Sequence, residues 1–130
     1  MNEPVWMDSL DAVIAHDQEI SVHGGSAGIR DAGLLESAMA CPRNIWAYAE
    51  STPSFAQLAA GYAFGISSNH PFVDANKRTA LLVPFVFLDV NGFEITATQE
   101  DACLTILGLA AGEISEDQLT LWFERNTIAR

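Results

Sequence analysis

The stretch "HPFVDANKRTA", from His70 to Ala80, gathers side chains that together could act on a phosphate. An imidazole such as that of His70 is the side chain best suited to accept a hydroxyl proton near neutral pH. Asp74 offers a carboxylate that can hold Mg²⁺ through one oxygen, with water and phosphate oxygens completing the octahedron. Lys77 is the only lysine of the chain, and Arg78 beside it is one of five arginines, so two of the six fixed cations are adjacent. Ala75 leaves the backbone open to a ligand, while Asn76 either caps a helix starting there or turns its amide toward a phosphate. Phe72 is expected to turn inward and anchor the loop, which Pro71 stiffens.

These residues stand where a helix is expected to begin. The pattern predicts a helix over 76–90, stopped by Asn91 and Gly92 in the order of a left-handed cap, with Pro84 kinking it. The first N–H groups of a helix lack internal partners, and the aligned peptide dipoles add partial positive charge, so carboxylates are favoured at that end. Lys77 and Arg78 oppose that preference. Either they form an anion site with the free N–H groups, best suited to a nucleotide's phosphates, or Asp74, three and four residues earlier, merely neutralises them. His70 within the same nine residues favours the anion site. His16 and His23 read as structural.

Composition frames the setting. With 130 residues, 49% of them hydrophobic, the chain is expected to form a single domain over 1–130. Seventeen acidic against six basic side chains give a net charge of −11, which repels nucleic-acid backbones and requires any anion to be caught locally. No leader pattern and no apolar run near the roughly 20 residues of a membrane span is evident, so a soluble, cytoplasmic protein is expected. Cys41 and Cys103 lack C-x-x-C spacing and read as buried thiols.

The remaining elements read as helices. Asp8 or Ser9 caps a first one ending near Ile20, and "HGGSAGIRD" breaks it. Asp31 starts a second that Pro42 is expected to stop, followed by a polar stretch to Pro53 without a clear form. Ser54 opens a central helix whose Gly61 and Gly65 admit a close neighbour. Thr98 with Asp101 and Ser115 with Gln118 propose capping boxes for two further helices, to about Ala111 and Ile128. "FEIT" could be a short strand, with no strand set to build a larger sheet. The expected class is all-α, with about six helices.

The same motif resembles the signature of Fic-fold proteins, H-x-F-x-D/E-G-N-G-R-x-x-R. It is most similar to the death-on-curing branch, which reads H-x-F-x-D-A-N-K-R-T-A; His70, Phe72, Asp74, Ala75, Asn76, Lys77, Arg78, Thr79 and Ala80 all fall in place. Similarity extends to "HGGSAGIRDAGLLESA", to the small-residue helix before the motif and to "AAGEIS". The resemblance implies a compact all-helical bundle with the active loop between two central helices. Lys77 stands where adenylylating members have glycine, and Leu81 where they have a second arginine.

What the resemblance implies for activity is a toxin of a toxin–antitoxin module that transfers the terminal phosphoryl group of ATP to a threonine of elongation factor Tu and arrests protein synthesis. His70 is then the base, Asp74 the Mg²⁺ ligand, and Ala75, Asn76, Lys77 and Arg78 the phosphate-binding group. It further implies a cognate antitoxin whose helical segment lies in a surface groove, with Trp6, Trp46 and Trp122 as apolar candidates. The internal inhibitory element S/T-x-x-x-E-G/N of some relatives is not seen, "TATQED" coming nearest. AMP transfer and a non-catalytic antitoxin-binding module are the alternatives. Arg30 and Glu36 read first as partners along a helix, with a place in the cleft as the alternative.

Overall fold

The computed structural model describes residues 3–130 and shows six helices with one small two-stranded sheet. The helices are α1 (Ser9–His23), α2 (Ala32–Tyr48), α3 (Phe55–Asn69), α4 (Asn76–Val90), α5 (Gln99–Ala110) and α6 (Glu116–Arg125). β1 (Phe93–Ile95) pairs antiparallel with β2 (Thr127–Ala129), Glu94 opposite Ile128. No described helix is long and apolar enough to cross a membrane. The all-α expectation holds.

Helix α3 is the axis of the fold, packed against α2, α4 and α6. Its sequence explains this: alanines and glycines at 56, 59, 60, 61, 63 and 65 are all buried, so neighbours close in on the backbone from several sides. Leu58, Tyr62 and Ile66 fill the space between, together with Phe87 and Leu88 of α4 and Phe123 of α6. Each such side chain removed from water contributes about 1.5–3 kcal/mol. Tyr62 is wholly buried, yet its hydroxyl accepts from the Met7 N–H at 2.9 Å and donates to the Met7 carbonyl at 3.3 Å. Burial pushes its phenol up to about 12, so the group remains a donor and ties the N-terminal segment to the core.

Beyond the three residues by which α1 overruns Ile20 to reach His23, two boundaries differ from the sequence expectation. Helix α2 does not stop at Pro42 but continues to Tyr48. A proline inside a helix leaves the carbonyl four residues earlier without its N–H, and here that carbonyl, of Ala38, abuts α3 at Gly65. A Cβ on Gly65 would lie 3.0 Å from the Ala38 oxygen, and one on Gly61 3.4 Å from the Pro42 ring. Tight packing on a glycine surface thus offsets the lost bond, and the proline is buried. Likewise α4 runs unbroken through the buried Pro84.

The second difference is at the C-terminus. Helix α6 ends at Arg125, and Thr127–Ala129 is a strand, not the last turn of the helix. "FEIT" supplies its partner, so the strand is set by tertiary pairing that local sequence cannot reveal. Both Ser115–Gln118 capping-box bonds are present. The Thr98 box is only half formed, because Asp101 turns its carboxylate to the Trp122 indole N–H at 2.9 Å.

The candidate active site

His70 caps the C-terminal end of α3 and Asn76 starts α4, and the chain turns between these helices through two unusual backbone conformations. His70 (φ 46°) and Ala75 (φ 60°) are the only non-glycine residues with positive φ among those described. For an L-residue this conformation costs on the order of 1–2 kcal/mol, and such strain tends to persist where surrounding contacts enforce it. Those contacts are identifiable. Phe72 is buried and stacks on His16, ring centroids 4.0 Å apart and planes 6° from parallel. His16 Nε2 lies 2.8 Å from the Asp74 carbonyl oxygen and donates to it. The structural reading of His16 therefore becomes specific: it holds the loop.

Asn76 is the first residue of α4, not its cap. Its Oδ1 accepts from the Phe72 N–H and its Nδ2 donates to the Phe72 carbonyl, each at 3.0 Å. The amide side chain thus clips the loop, and what Asn76 turns toward a ligand is its backbone. Ala75 occupies the cap position in left-handed conformation, with no side-chain hydrogen bond to the helix start. The other five helices each have an Asp, Ser or Thr in that role.

The loop "HGGSAGIRD" lies against this turn. Ile29 and Phe72 form an antiparallel bridge, and the Val73 N–H donates to the Gly28 carbonyl at 3.0 Å. Asp74 accepts from the Ser26 N–H at 3.1 Å through Oδ2 and from its neighbour Ala75 at 2.8 Å through Oδ1. These two donors, Ser26 foremost, hold the Asp74 carboxyl below the ordinary carboxylate value, so it stays ionised. Gly25 fits against the same carboxylate: with φ +123°, a Cβ there would come within 2.8 Å of Asp74 Oδ2. Only glycine allows that approach.

The cations do not pair directly with the motif's own carboxylate, although the charge of Arg78 helps keep Asp74 ionised. Among the described residues neither Lys77 nor Arg78 forms an ion pair with Asp74. Arg78 donates to the Gly24 carbonyl at 3.1 Å and lies 3.9 Å from Glu19, while Lys77 has no ion pair among the described residues and is exposed. His70, Val73, Asp74, Ala75, Asn76, Lys77, Arg78 and Leu81 line one cavity of about 530 Å³. Its far wall comes from α5 through Cys103, Ile106 and Leu107. All six motif positions named from sequence are therefore brought together, and Leu81 shares their cleft.

The α5 wall was not foreseen, since it lies more than 20 residues beyond the motif with no polar signature. Cys103 corrects the expectation of two buried thiols: it is exposed on the cleft side of α5, whereas Cys41 is partly buried. Arg30 caps the end of α3, donating through Nε to the His70 carbonyl at 2.7 Å and through Nη2 to Asn69 at 2.8 Å. Glu36 lies elsewhere, with Asp8 and Arg43 at a separate depression. Trp6, Trp46 and Trp122 pack partly buried against the core.

Asp74 fits a magnesium ion held mainly by phosphate. It is ionised and each of its oxygens accepts one N–H, so lone pairs remain for a cation. No group of three or more His, Cys, Asp or Glu suited to a protein-only metal cage occurs among the described residues.

The fold and site together define a small helical domain that presents a strained H-x-F-x-D-A-N-K-R loop between its two central helices, at the mouth of a largely apolar cleft. The Fic/DOC family pattern matches residues 6–88. Over 103 residues the chain is 40% identical to "Protein kinase doc" of Escherichia phage P1, covering 79% of this chain and 80% of that protein. It is 36% identical over 74 residues to "Toxin Doc" of Mycolicibacterium smegmatis, covering 57% of each. The chain belongs to the Fic/DOC family.

Proposed function

We propose that this chain is the toxin of a toxin–antitoxin module and acts as a protein-threonine phosphotransferase with ATP as donor, elongation factor Tu being the substrate that the family resemblance points to. The observation that carries this reading is the junction at Ala75: an uncapped helix start, Lys77 without an ion pair among the described residues, and His70 all open on one cleft. The name "Protein kinase doc" of the phage P1 relative supports transfer of phosphoryl rather than AMP.

The chemistry follows from the geometry. The N–H groups of the first α4 turn and the Lys77 ammonium bind the transferring phosphate's oxygens, where the helix dipole adds attraction. His70, exposed at the same cleft, takes the proton from the threonine hydroxyl as its oxygen attacks the terminal phosphorus. The bond to the bridging oxygen breaks and ADP leaves with the electron pair. Positioning and electrostatics carry most of the work in such a transfer, so this small set of groups is chemically sufficient. Magnesium on Asp74, when bound, would neutralise charge on the phosphates. Leu81 supports the phosphoryl reading because an aliphatic side chain on the cleft wall cannot supply the second arginine of the adenylylating signature.

The chain is incubated with a cytosolic extract and ATP labelled on either the α- or the γ-phosphate, and labelled proteins are identified by mass spectrometry. Label from the γ-position on a threonine, lost with H70A, is the expected result. Transfer of α-label would establish the AMP transferase instead, and a folded chain that transfers neither would leave a binding module.

A further inference from the structure

His70 occupies a conformation that disfavours a side chain, and no hydrogen bond reaches its ring among the described residues. A catalytic histidine is commonly aligned by a carboxylate on its second nitrogen; here alignment has to come through the main chain. The contacts around it are concentrated on three consecutive carbonyls. Arg30 Nη2 donates to Asn69 and Arg30 Nε to His70, while the backbone N–H groups of Arg30 and Asp31 both donate to Pro71, at 2.7 and 3.1 Å. The His70 N–H itself closes back on Ile66.

We propose that Arg30 is a positioning residue for His70: its guanidinium fixes the peptide units on either side of the histidine and so sets where the imidazole stands in the cleft. The inference rests on His70 acting as the base of the transfer proposed above. Arg30 suits the task in two ways. Its planar fork can bridge two neighbouring carbonyls at once, which an ammonium does as a single point charge. Its cation also sits at the C-terminal end of α3, where the helix dipole favours positive charge, and among the described residues it has no acidic partner to draw it away. Arg30 is not offered as a phosphate ligand, because the two nitrogens named are engaged with carbonyls behind the histidine.

The test uses the full chain and the labelled-ATP extract assay, reading the maximal rate and the apparent KM for ATP at fixed extract. R30A is expected to lower the maximal rate by about 10- to 100-fold and to move the KM by no more than about twofold, since the phosphate-binding turn is untouched. R30K should recover part of the rate, and guanidinium ion added to R30A should recover some of it. In parallel, the His70 ring resonance should be single in the wild type and broadened or doubled in R30A, with the melting temperature little changed. R30A at the wild-type rate with an unaltered ring resonance would overturn the proposal. So would a lost rate that neither R30K nor guanidinium restores. If the wild type transfers no label, the phosphotransferase reading fails, and the ring resonance alone decides whether Arg30 positions His70. Should R30A not fold, R30K carries the comparison.

Discussion

Two helix entrances in this chain obey opposite rules. At α6, Ser115 accepts from the Gln118 N–H, Gln118 answers to the Ser115 N–H, and Glu116 and Asp117 place negative charge in the first turn. Each of these choices stabilises the helix start. At α4, the cap position is an alanine in left-handed conformation whose own N–H is taken by Asp74, no side chain bonds the N–H groups of the first helical turn, and Lys77 and Arg78 bring positive charge to the positive end. One entrance is complete in itself; the other leaves its first-turn N–H groups without side-chain partners. The difference marks the candidate site, because a chain that caps five helices with Asp, Ser or Thr departs from that practice at the turn that carries His70.

The largest effect is expected from H70A, which should lower phosphoryl transfer by at least about 100-fold in the labelled-ATP assay. Because His70 is exposed, the melting temperature should hardly move. Full activity in that variant would remove the base from the account. Next, K77G takes one cation from the α4 entrance and should weaken γ-label transfer by about 10-fold, while any gain of α-label transfer would mark a return toward AMP chemistry.

Asp74 gives a pH-dependent test of the same entrance. Its folded carboxyl titrates below the ordinary value of 3.8 because Ser26 and Ala75 donate to the ionised form. The sign follows: the stability it contributes is present in full above 3.8 and is lost as pH falls through the lowered folded value. Melting curves of wild type and D74N from pH 6 down to pH 3 should therefore converge toward the acid end. A constant difference would mean that the loop contacts do not depend on the charge. The smallest effect belongs to the control entrance. S115A should cost about 1 kcal/mol, lowering the melting temperature by about 3–5 °C and leaving transfer unchanged.

Much of this was legible in the sequence, for physical reasons that also mark where reading stopped. Caps at Asp8, Asp31, Ser54, Thr98 and Ser115 are local, involving residues three apart, and the helix starts they imply are where the structure has them. Pro42 misled because its cost is met by Gly61 and Gly65 of another helix. Thr127–Ala129 misled because its strand exists only opposite Phe93–Ile95. At the site, the types and spacing from His70 to Arg78 pointed to phosphate chemistry. Three things did not show in the order of residues: the left-handed Ala75, the engagement of the Asn76 amide with Phe72, and the apolar wall of α5. Arg30 was singled out without a role, and only the folded loop brings its side chain to the end of α3.

The central claim is tested most directly by titrating the chain with magnesium ATP while following its backbone amide resonances. The account predicts that Asn76, Lys77 and Arg78 shift first and most, with Asp74 beside them, and that Glu116 to Gln118 at the capped entrance stay still. Saturable shifts centred on any other surface, with residues 74–78 unmoved, would contradict it.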